Sequence, residues 1–198
     1  MSELEGRYPS TLELKGKTVE LALMTGETEE RDVRDFAESL PANDLLFLSR
    51  DIREPKVVEA WLRQIREGEI ISVAARLDGK VVGTTAVVTD KLSFSSHVGE
   101  LRVLVGPEAR EIGLGRKLIQ EAFLVGMDLG LDKLTARMTL DQDAAITVFE
   151  EMGFRKEAMF LDHVKDADGK KHDLLIMAHD VDGFIAQMQA YGIGDDPE

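Results

Sequence analysis

The chain has 198 residues, of which 43% are hydrophobic and 31% charged, and a formal net charge of −14 at pH 7. This length allows one well-packed domain, and the negative charge argues against a nucleic-acid partner while it would attract a cationic substrate. With no cysteine, no apolar run long enough to cross a membrane and no secretory signal at the N-terminus, we expect a cytoplasmic protein without disulfides, thiolate metal sites or a membrane partner.

The first third of the chain is predicted to form a β-hairpin followed by two amphipathic helices. Strands over residues 11–15 and 18–24 flank a turn at Lys15-Gly16-Lys17. Residues 28–40 and 57–67 are charged segments with apolar residues at helical spacing, and they stop at Pro41 and Gly68.

The middle of the chain is predicted to form a three-stranded meander. Residues 70–77 and 80–89 are rich in β-branched residues and flank Asp78-Gly79, a dipeptide typical of tight hairpins. Residues 98–105 are a further apolar strand, which completes the meander.

The remaining elements alternate between helix and strand. In chain order they are a helix over 113–129 that ends at Gly130, a strand over 133–140, a helix over 141–152 capped by Asp141, a hairpin over 154–165 and 171–179, and a terminal helix over 181–190. This order predicts a mixed α/β domain with one central sheet flanked by helices.

The stretch GPEAREIGLGRKL, from Gly106 to Leu118, joins the apolar strand to the helix that follows. A helix start exposes unpaired N–H groups and a partial positive charge, and glycines there let an anion approach the main chain. Arg110, Arg116 and Lys117 add full positive charges. The stretch therefore predicts a site for a pyrophosphate.

Three phosphate-binding patterns were compared with this stretch. A Walker A loop is absent. A dinucleotide fingerprint is matched only in part, because Leu118 stands where a third glycine belongs, although Asp141 could serve as the ribose-binding acid. The pattern Arg-x-x-Gly-x-Gly is met in full by Arg110, Gly113 and Gly115.

The segment from Glu100 to Phe154 resembles the core of the acetyl-CoA-dependent N-acetyltransferase superfamily, known as GNAT. LRVLV with GPEAREIGLG matches the first cofactor motif of that family, and DQDAAITVFEEMGF resembles the second. The resemblance implies a single GNAT-like domain over 18–180, with a mostly antiparallel twisted sheet that splays at the cofactor slot. Residues 1–17 would form an N-terminal extension and hairpin strand, and 181–198 a C-terminal helix and tail.

The resemblance also implies where coenzyme A would bind. The main-chain N–H groups of the loop and helix start would hold its pyrophosphate; these residues are Glu111, Ile112, Gly113, Leu114, Gly115 and Arg116. The strand Val103, Leu104 and Val105 would pair with the pantetheine arm, and one N–H near Leu104 would stabilise the developing oxyanion. Gln142 and Phe149, on the next helix, would border the arm.

The chemistry implied is attack of a primary amine on the acetyl carbonyl of acetyl-CoA. An amine with a pKa near 10.4 is mostly protonated at neutral pH, so it needs a base. Glu100 is the candidate, because it lies on the strand that faces the cofactor and some family members have a glutamate at the corresponding place. An exposed strand carboxylate without catalytic role is the alternative, and His97 and His163 are weaker candidates for the base.

Two residues depart from the second motif of the family. Gln142 replaces the usual asparagine, and Phe149 replaces the tyrosine that often protonates the leaving thiolate. Another group would supply the proton, for which Tyr191 is a candidate, or the thiolate would leave unassisted. The sequence thus leaves two alternatives to acetyl transfer, namely an acyl-CoA-binding regulatory module and a dinucleotide-binding enzyme.

The acceptor is expected to be a small-molecule or peptide amine, and the acidic composition favours a cationic one. The resemblance also allows a homodimer. No metal site is predicted.

Overall fold

The computed structural model describes residues 2–183, and within that range the chain folds into eight strands, five α-helices and two short 3-10 helices. The helices are α1 (Ser2–Arg7), α2 (Glu30–Ser39), α3 (Pro55–Arg66), α4 (Leu114–Asp128) and α5 (Asp143–Glu151). The strands are β1 (Ser10–Leu14), β2 (Lys17–Leu23), β3 (Ile70–Leu77), β4 (Lys80–Val88), β5 (Val98–Val105), β6 (Lys133–Thr139), β7 (Arg155–Lys165) and β8 (Lys171–Asp180). The 3-10 helices span Ala42–Leu45 and Pro107–Ala109.

All eight strands form one sheet in the order β1-β2-β3-β4-β5-β6-β8-β7. Every neighbouring pair is antiparallel except β5 and β6. This confirms the predicted mixed, mostly antiparallel sheet. It also removes the main support for the dinucleotide alternative, because dinucleotide-binding folds use a mostly parallel, doubly wound sheet.

Helices cover both faces of the sheet, because each helix has one apolar side to bury. On one face, Leu114 and Leu118 of α4 and Phe149 of α5 pack with Leu101 of the sheet. The opposite face carries α2 and α3, whose buried residues pack with Leu104. Leu101 and Leu104 thus place the strand β5 between the two cores.

Strands β5 and β6 pair over only part of their length. Their parallel register runs from Val98 opposite Lys133 to Leu101 opposite Ala136, and it ends there. Residues 102–105 of β5 stay paired with β4 on their other side. The predicted splay is therefore confirmed, and it leaves one edge of β5 open beside the start of α4.

The boundaries of the predicted elements agree with the structure to within a few residues, with two exceptions. Helix α1 was not expected from the sequence. The N-cap of α5 is Gln142, one residue later than the predicted Asp141. The Gln142 side chain makes no capping bond.

The predicted terminal helix is described only over residues 181–183, which are helical, and the rest of it, with Tyr191 and the tail, lies outside the described residues. None of the helices within residues 2–183 has the length and apolar character needed to cross a membrane.

Candidate active site

The start of α4 presents a row of unpaired main-chain N–H groups. Among residues 2–183, no backbone or side-chain acceptor bonds the N–H groups of Glu111 to Arg116, and the first intrahelical donor is Lys117 N–H, which bonds Gly113 O at 3.2 Å. Unpaired donors at a helix start, reinforced by the helix dipole, bind anions. The amides expected to hold a pyrophosphate are thus not satisfied by the protein's own described groups.

The loop before α4 has a backbone conformation that keeps these amides accessible. Glu111 and Gly113 both have positive φ, of 63° and 91°. A Cβ atom at Gly113 would meet nothing within 4 Å, and one at Gly115 would meet only Val105 Cγ2, at 3.6 Å. Gly113 therefore borders open space, and Gly115 has room for a Cβ atom in ordinary contact with Val105.

The three cations of this stretch are engaged by carboxylates. Arg110 pairs with Asp44 of the first 3-10 helix, Arg116 pairs with Glu151 of α5, and Lys117 pairs with Glu121 at 2.9 Å. The sequence predicted free positive charges here, and the ion pairs offset them. Amide donors, rather than net side-chain charge, therefore dominate the attraction for an anion at this site.

The open edge of β5 has its own unpaired donors. In an antiparallel ladder, alternate residues direct their N–H and C=O groups toward the partner strand. Gly106 N–H donates to Val82 O at 2.8 Å, and the register of β5 with β4 is regular from residue 100 to 105. The N–H of Leu104 therefore points toward β4, and those of Val103 and Val105 point into the splay. Consistent with this alternation, Gly99 O faces β6 and accepts a bond from Thr135 Oγ1 at 3.4 Å.

Glu100 lies between two arginines on the face of the sheet that carries α2 and α3. Its Oε1 accepts a hydrogen bond from Arg102 Nε at 2.7 Å, and its Oε2 lies 3.1 Å from Arg137 Nη2. The side chain is 19% exposed. The carboxylate is thus held in place at the point where β5 and β6 separate.

The two departures from the second family motif lie at the N-cap and in the core of α5. Gln142 accepts a bond through Oε1 from Thr139 N–H at 3.1 Å, which leaves its side-chain NH2 group without a partner among the described residues. Phe149 is buried and packs edge-to-face on Phe154, with ring centroids 5.0 Å apart. Gln142 can still donate to a ligand, whereas Phe149 mainly fills the core.

A cleft of about 320 Å³ opens between α3, the segment from Leu48 to Ile52 and the centre of the sheet. Thr84, Arg102 and Leu104 line its floor. Trp61 lines its wall and donates from Nε1 to Ser72 Oγ at 3.2 Å. Because Arg102 and Leu104 belong to the unpaired half of β5, the cleft ends beside the splay.

The other candidate bases lie elsewhere. His97 is in the loop before β5 and lines a second cavity with His179 and Asp180, at the other end of β5 from α4. His163, on the edge strand β7, packs against Phe160 with ring centroids 5.0 Å apart. Neither accompanies Glu100, and sequence reasoning missed the two arginines that do, because nothing in the local pattern marks Arg102 or Arg137.

Comparison with protein families gives one match. The model described as the acetyltransferase (GNAT) family matches residues 35–154, which include the meander, the Gly113 loop and α5.

A curated relative is YwnH of Bacillus subtilis strain 168, named provisionally as a phosphinothricin acetyltransferase. It is 28% identical over 86 residues, or 43% of this chain and 52% of its own length, so the match spans about half of that relative.

Solved structures give longer matches at lower identity. An acetyltransferase of the same family from Streptococcus pneumoniae has a TM-score of 0.65 at 22% identity and covers 80% of this chain and 98% of its own. The spermidine N-acetyltransferase of Vibrio cholerae, solved with CoA and spermine, has a TM-score of 0.69 at 18% identity and covers 83% and 98%. At such identities these structures establish the shared fold.

Proposed function

The chain belongs to the acetyltransferase (GNAT) family, and on that premise we propose that it transfers the acetyl group of acetyl-CoA to a primary amine by direct attack. The observation that carries this proposal is the row of unsatisfied amides from Glu111 to Arg116 next to an unpaired edge of β5. Anion-binding amides suit the pyrophosphate of coenzyme A, and an open strand edge suits the amides of its pantetheine arm.

In this proposal the pantetheine arm continues the sheet in the place where β6 departs. The N–H groups of Val103 and Val105 face that place, and they are the slot-facing donors nearest to Leu104. One of them would donate to the thioester oxygen as negative charge develops on it, which is the arrangement that stabilises a tetrahedral intermediate. Gln142 would donate its free NH2 group to the arm from the other side.

Glu100 is the proposed general base. The amine must lose a proton to attack, and Glu100 is a carboxylate held by Arg137 and by Arg102, a residue that lines the cleft between α3 and the sheet. Attack would form the carbon–nitrogen bond and a tetrahedral intermediate, and the carbon–sulfur bond would then break, so that coenzyme A leaves as a thiolate. No side chain is assigned as the acid, because Phe149 carries no proton to donate.

A second candidate function is an acyl-CoA-binding module without turnover. It is favoured by Phe149 in place of the family's tyrosine, since phenylalanine has no proton to donate to the leaving thiolate. The two candidates share the donor site and differ only in chemistry.

One experiment separates the two candidates. Acetyl-CoA binding is measured by calorimetry, and release of free coenzyme A thiol is then followed over a panel of amines. We expect binding at millimolar or tighter concentrations and thiol release that depends on the amine. Binding of acetyl-CoA without amine-dependent thiol release would favour the acyl-CoA-binding module. Absence of acetyl-CoA binding would contradict both candidate functions.

The proposal extends to assembly and location. A homodimer is supported by the edge strand β7, which exposes Met159, Phe160 and Leu161, because exposed apolar edges are typical of association surfaces. A cytoplasmic location is supported by the cysteine-free composition. Sedimentation velocity and cell fractionation test these two statements.

A further inference from the structure

We infer that the acceptor amine carries an oxyanion, which binds in the cleft between α3 and the sheet to Arg50, Arg63 and Arg102. The inference rests on the proposed acetyl transfer, because it assigns a substrate class to the cleft beside the acetyl site. It opposes the expectation from overall charge, which favours a cationic acceptor.

The charge of the cleft is opposite to the charge of the molecule. Three guanidinium groups are among the residues that line it, and within the described chain no carboxylate is. A chain with a net charge of −14 has 38 acidic residues to place against 24 basic ones, so an all-cationic lining departs from its composition. A polyamine would find no counter-charge on these walls, whereas a carboxylate or phosphonate would find three.

The guanidinium groups are largely available to a ligand. Within residues 2–183, the exposed Arg50 side chain makes no ion pair or hydrogen bond. Arg63 has only an exposed pair with Glu67 at 4.0 Å, a contact of small energetic value. Arg102 donates Nε to Glu100 and keeps its two terminal nitrogens without a partner in the described chain.

The size and the remaining lining favour a small molecule. A volume of about 320 Å³ is at the lower end for small-ligand sites. Trp61 and Leu104 offer apolar surface, and the Thr84 hydroxyl has no hydrogen-bond partner among the described residues. An amine with a short apolar body and an oxyanion would contact the arginines, the apolar surface and the Thr84 hydroxyl. Arg102 would lie between its oxyanion and the proposed base, Glu100.

The test compares matched acceptors. Thiol release is measured with leucine against leucinamide and with 2-aminoethylphosphonate against ethanolamine, with spermidine as the cationic amine. Binding of the same compounds to the protein saturated with coenzyme A is measured by calorimetry. We expect the oxyanion-bearing member of at least one pair to bind more tightly and to have the lower KM, and the responding pair identifies a carboxylate or a phosphonate.

The arginine variants decide whether the cleft is responsible. Replacing both Arg50→Gln and Arg63→Gln should raise the Kd and KM of the preferred acid by about 100-fold, since the loss of one hydrogen bond to a charged group weakens binding by about tenfold or more. The KM of acetyl-CoA should be unchanged. Arg31→Gln is the matched control, because it removes a charge from α2 in a side chain that is 90% exposed and outside the cleft lining.

The outcomes separate this inference from the proposed function. Equal or better use of the neutral amine in both pairs, better use of spermidine than of either acid, or no effect of the double variant on acid binding would overturn the oxyanion inference and leave acetyl transfer standing. Tight, arginine-dependent binding of an acid with no thiol release from any amine would support the inference and contradict acetyl transfer. Failure of both acids to bind the coenzyme A complex would overturn the inference.

Discussion

At the scale of single residues, the candidate site depends on how Glu100 is held. A carboxylate that bridges Arg102 and Arg137 has one orientation, because each oxygen has its own partner. Such positioning is worth more to catalysis than to stability, since ion pairs between partly exposed groups contribute little to folding. The same arrangement links the proposed base to the cleft, because Arg102 contacts Glu100 and also lines the cleft.

We predict that Glu100→Gln lowers kcat by about 100-fold or more, the contribution typical of a general base, with the KM for acetyl-CoA unchanged. Steady-state thiol release measures both constants. Arg137→Gln is the comparison, because it breaks one ion pair and keeps the carboxylate. A Glu100→Gln variant with wild-type kcat would remove this residue from the mechanism.

A second residue-scale prediction concerns His179 on β8. Its ring packs edge-on against Phe123 and Phe154, and burial lowers its pKa below the ordinary 6.5, an effect that Arg155 adds to and the Asp180 carbonyl partly offsets. The unfolded chain therefore binds this proton more readily than the folded one, so stability is present above pH 6.5 and falls as the pH drops below it.

We expect the urea midpoint of the wild-type protein to fall between about pH 7.5 and pH 5.5, and His179→Gln to reduce that dependence. His163→Gln, an exposed histidine on β7, is the control and should keep the wild-type slope. Identical slopes in wild type and His179→Gln would show that this group does not contribute.

At the scale of elements, the strongly patterned segments were predictable and the weakly patterned ones were not. The three-stranded meander and α4 have clear β-branched runs or helical spacing, and the structure has them within a few residues of the prediction. Helix α1 has six residues and no apolar periodicity, so its presence depends on docking rather than on its own pattern. The N-cap of α5 was misplaced by one residue, a normal uncertainty at helix ends.

Docking of the N-terminal segment onto α4 gives an element-scale prediction. Tyr8 donates a hydrogen bond to Glu121 Oε2 at 2.6 Å in a buried setting, and burial with the neighbouring carboxylate raises the pKa of Tyr8. Tyr8→Phe should lower the free energy of unfolding by about 1–3 kcal/mol, because it leaves part of a buried carboxylate without its donor. Urea unfolding measures the loss.

The matched variant is Tyr8→Phe combined with Glu121→Met, which removes both polar partners. It should cost less than Tyr8→Phe alone, since it leaves no buried carboxylate without its donor, and Lys117, which loses its ion pair with Glu121, is partly exposed to water. A single variant as stable as wild type would show that the hydrogen bond does not hold the segment on α4.

At the scale of the whole molecule, the site joins parts that are distant in sequence. The partners of Arg110 and Arg116 are 66 and 35 residues away, so no local pattern could reveal that these cations are paired. The cleft proposed for the acceptor likewise combines α3, the 48–52 segment and three strands, and an acidic overall composition gives no sign of its positive lining. The donor site, in contrast, could be proposed from the sequence because its amides, glycines and strand lie within one contiguous stretch.

Because one domain carries the whole site, acetyl-CoA should stabilise the entire fold. A ligand that binds only the folded state adds about 2.7 kcal/mol at one hundred times its Kd, which for a chain of this size raises Tm by roughly 5–11 °C. Thermal unfolding monitored by circular dichroism measures the shift, and NADH should give none. Gly115→Val should abolish the shift and keep the unliganded Tm near wild type, because a Cβ atom at this position makes only an ordinary contact with Val105, whereas a branched side chain beside the amides would crowd a bound diphosphate. A full Tm shift with acetyl-CoA in that variant would mean that the diphosphate binds elsewhere. A Tm shift of the wild-type protein with NADH but not with acetyl-CoA would favour the dinucleotide-binding enzyme instead.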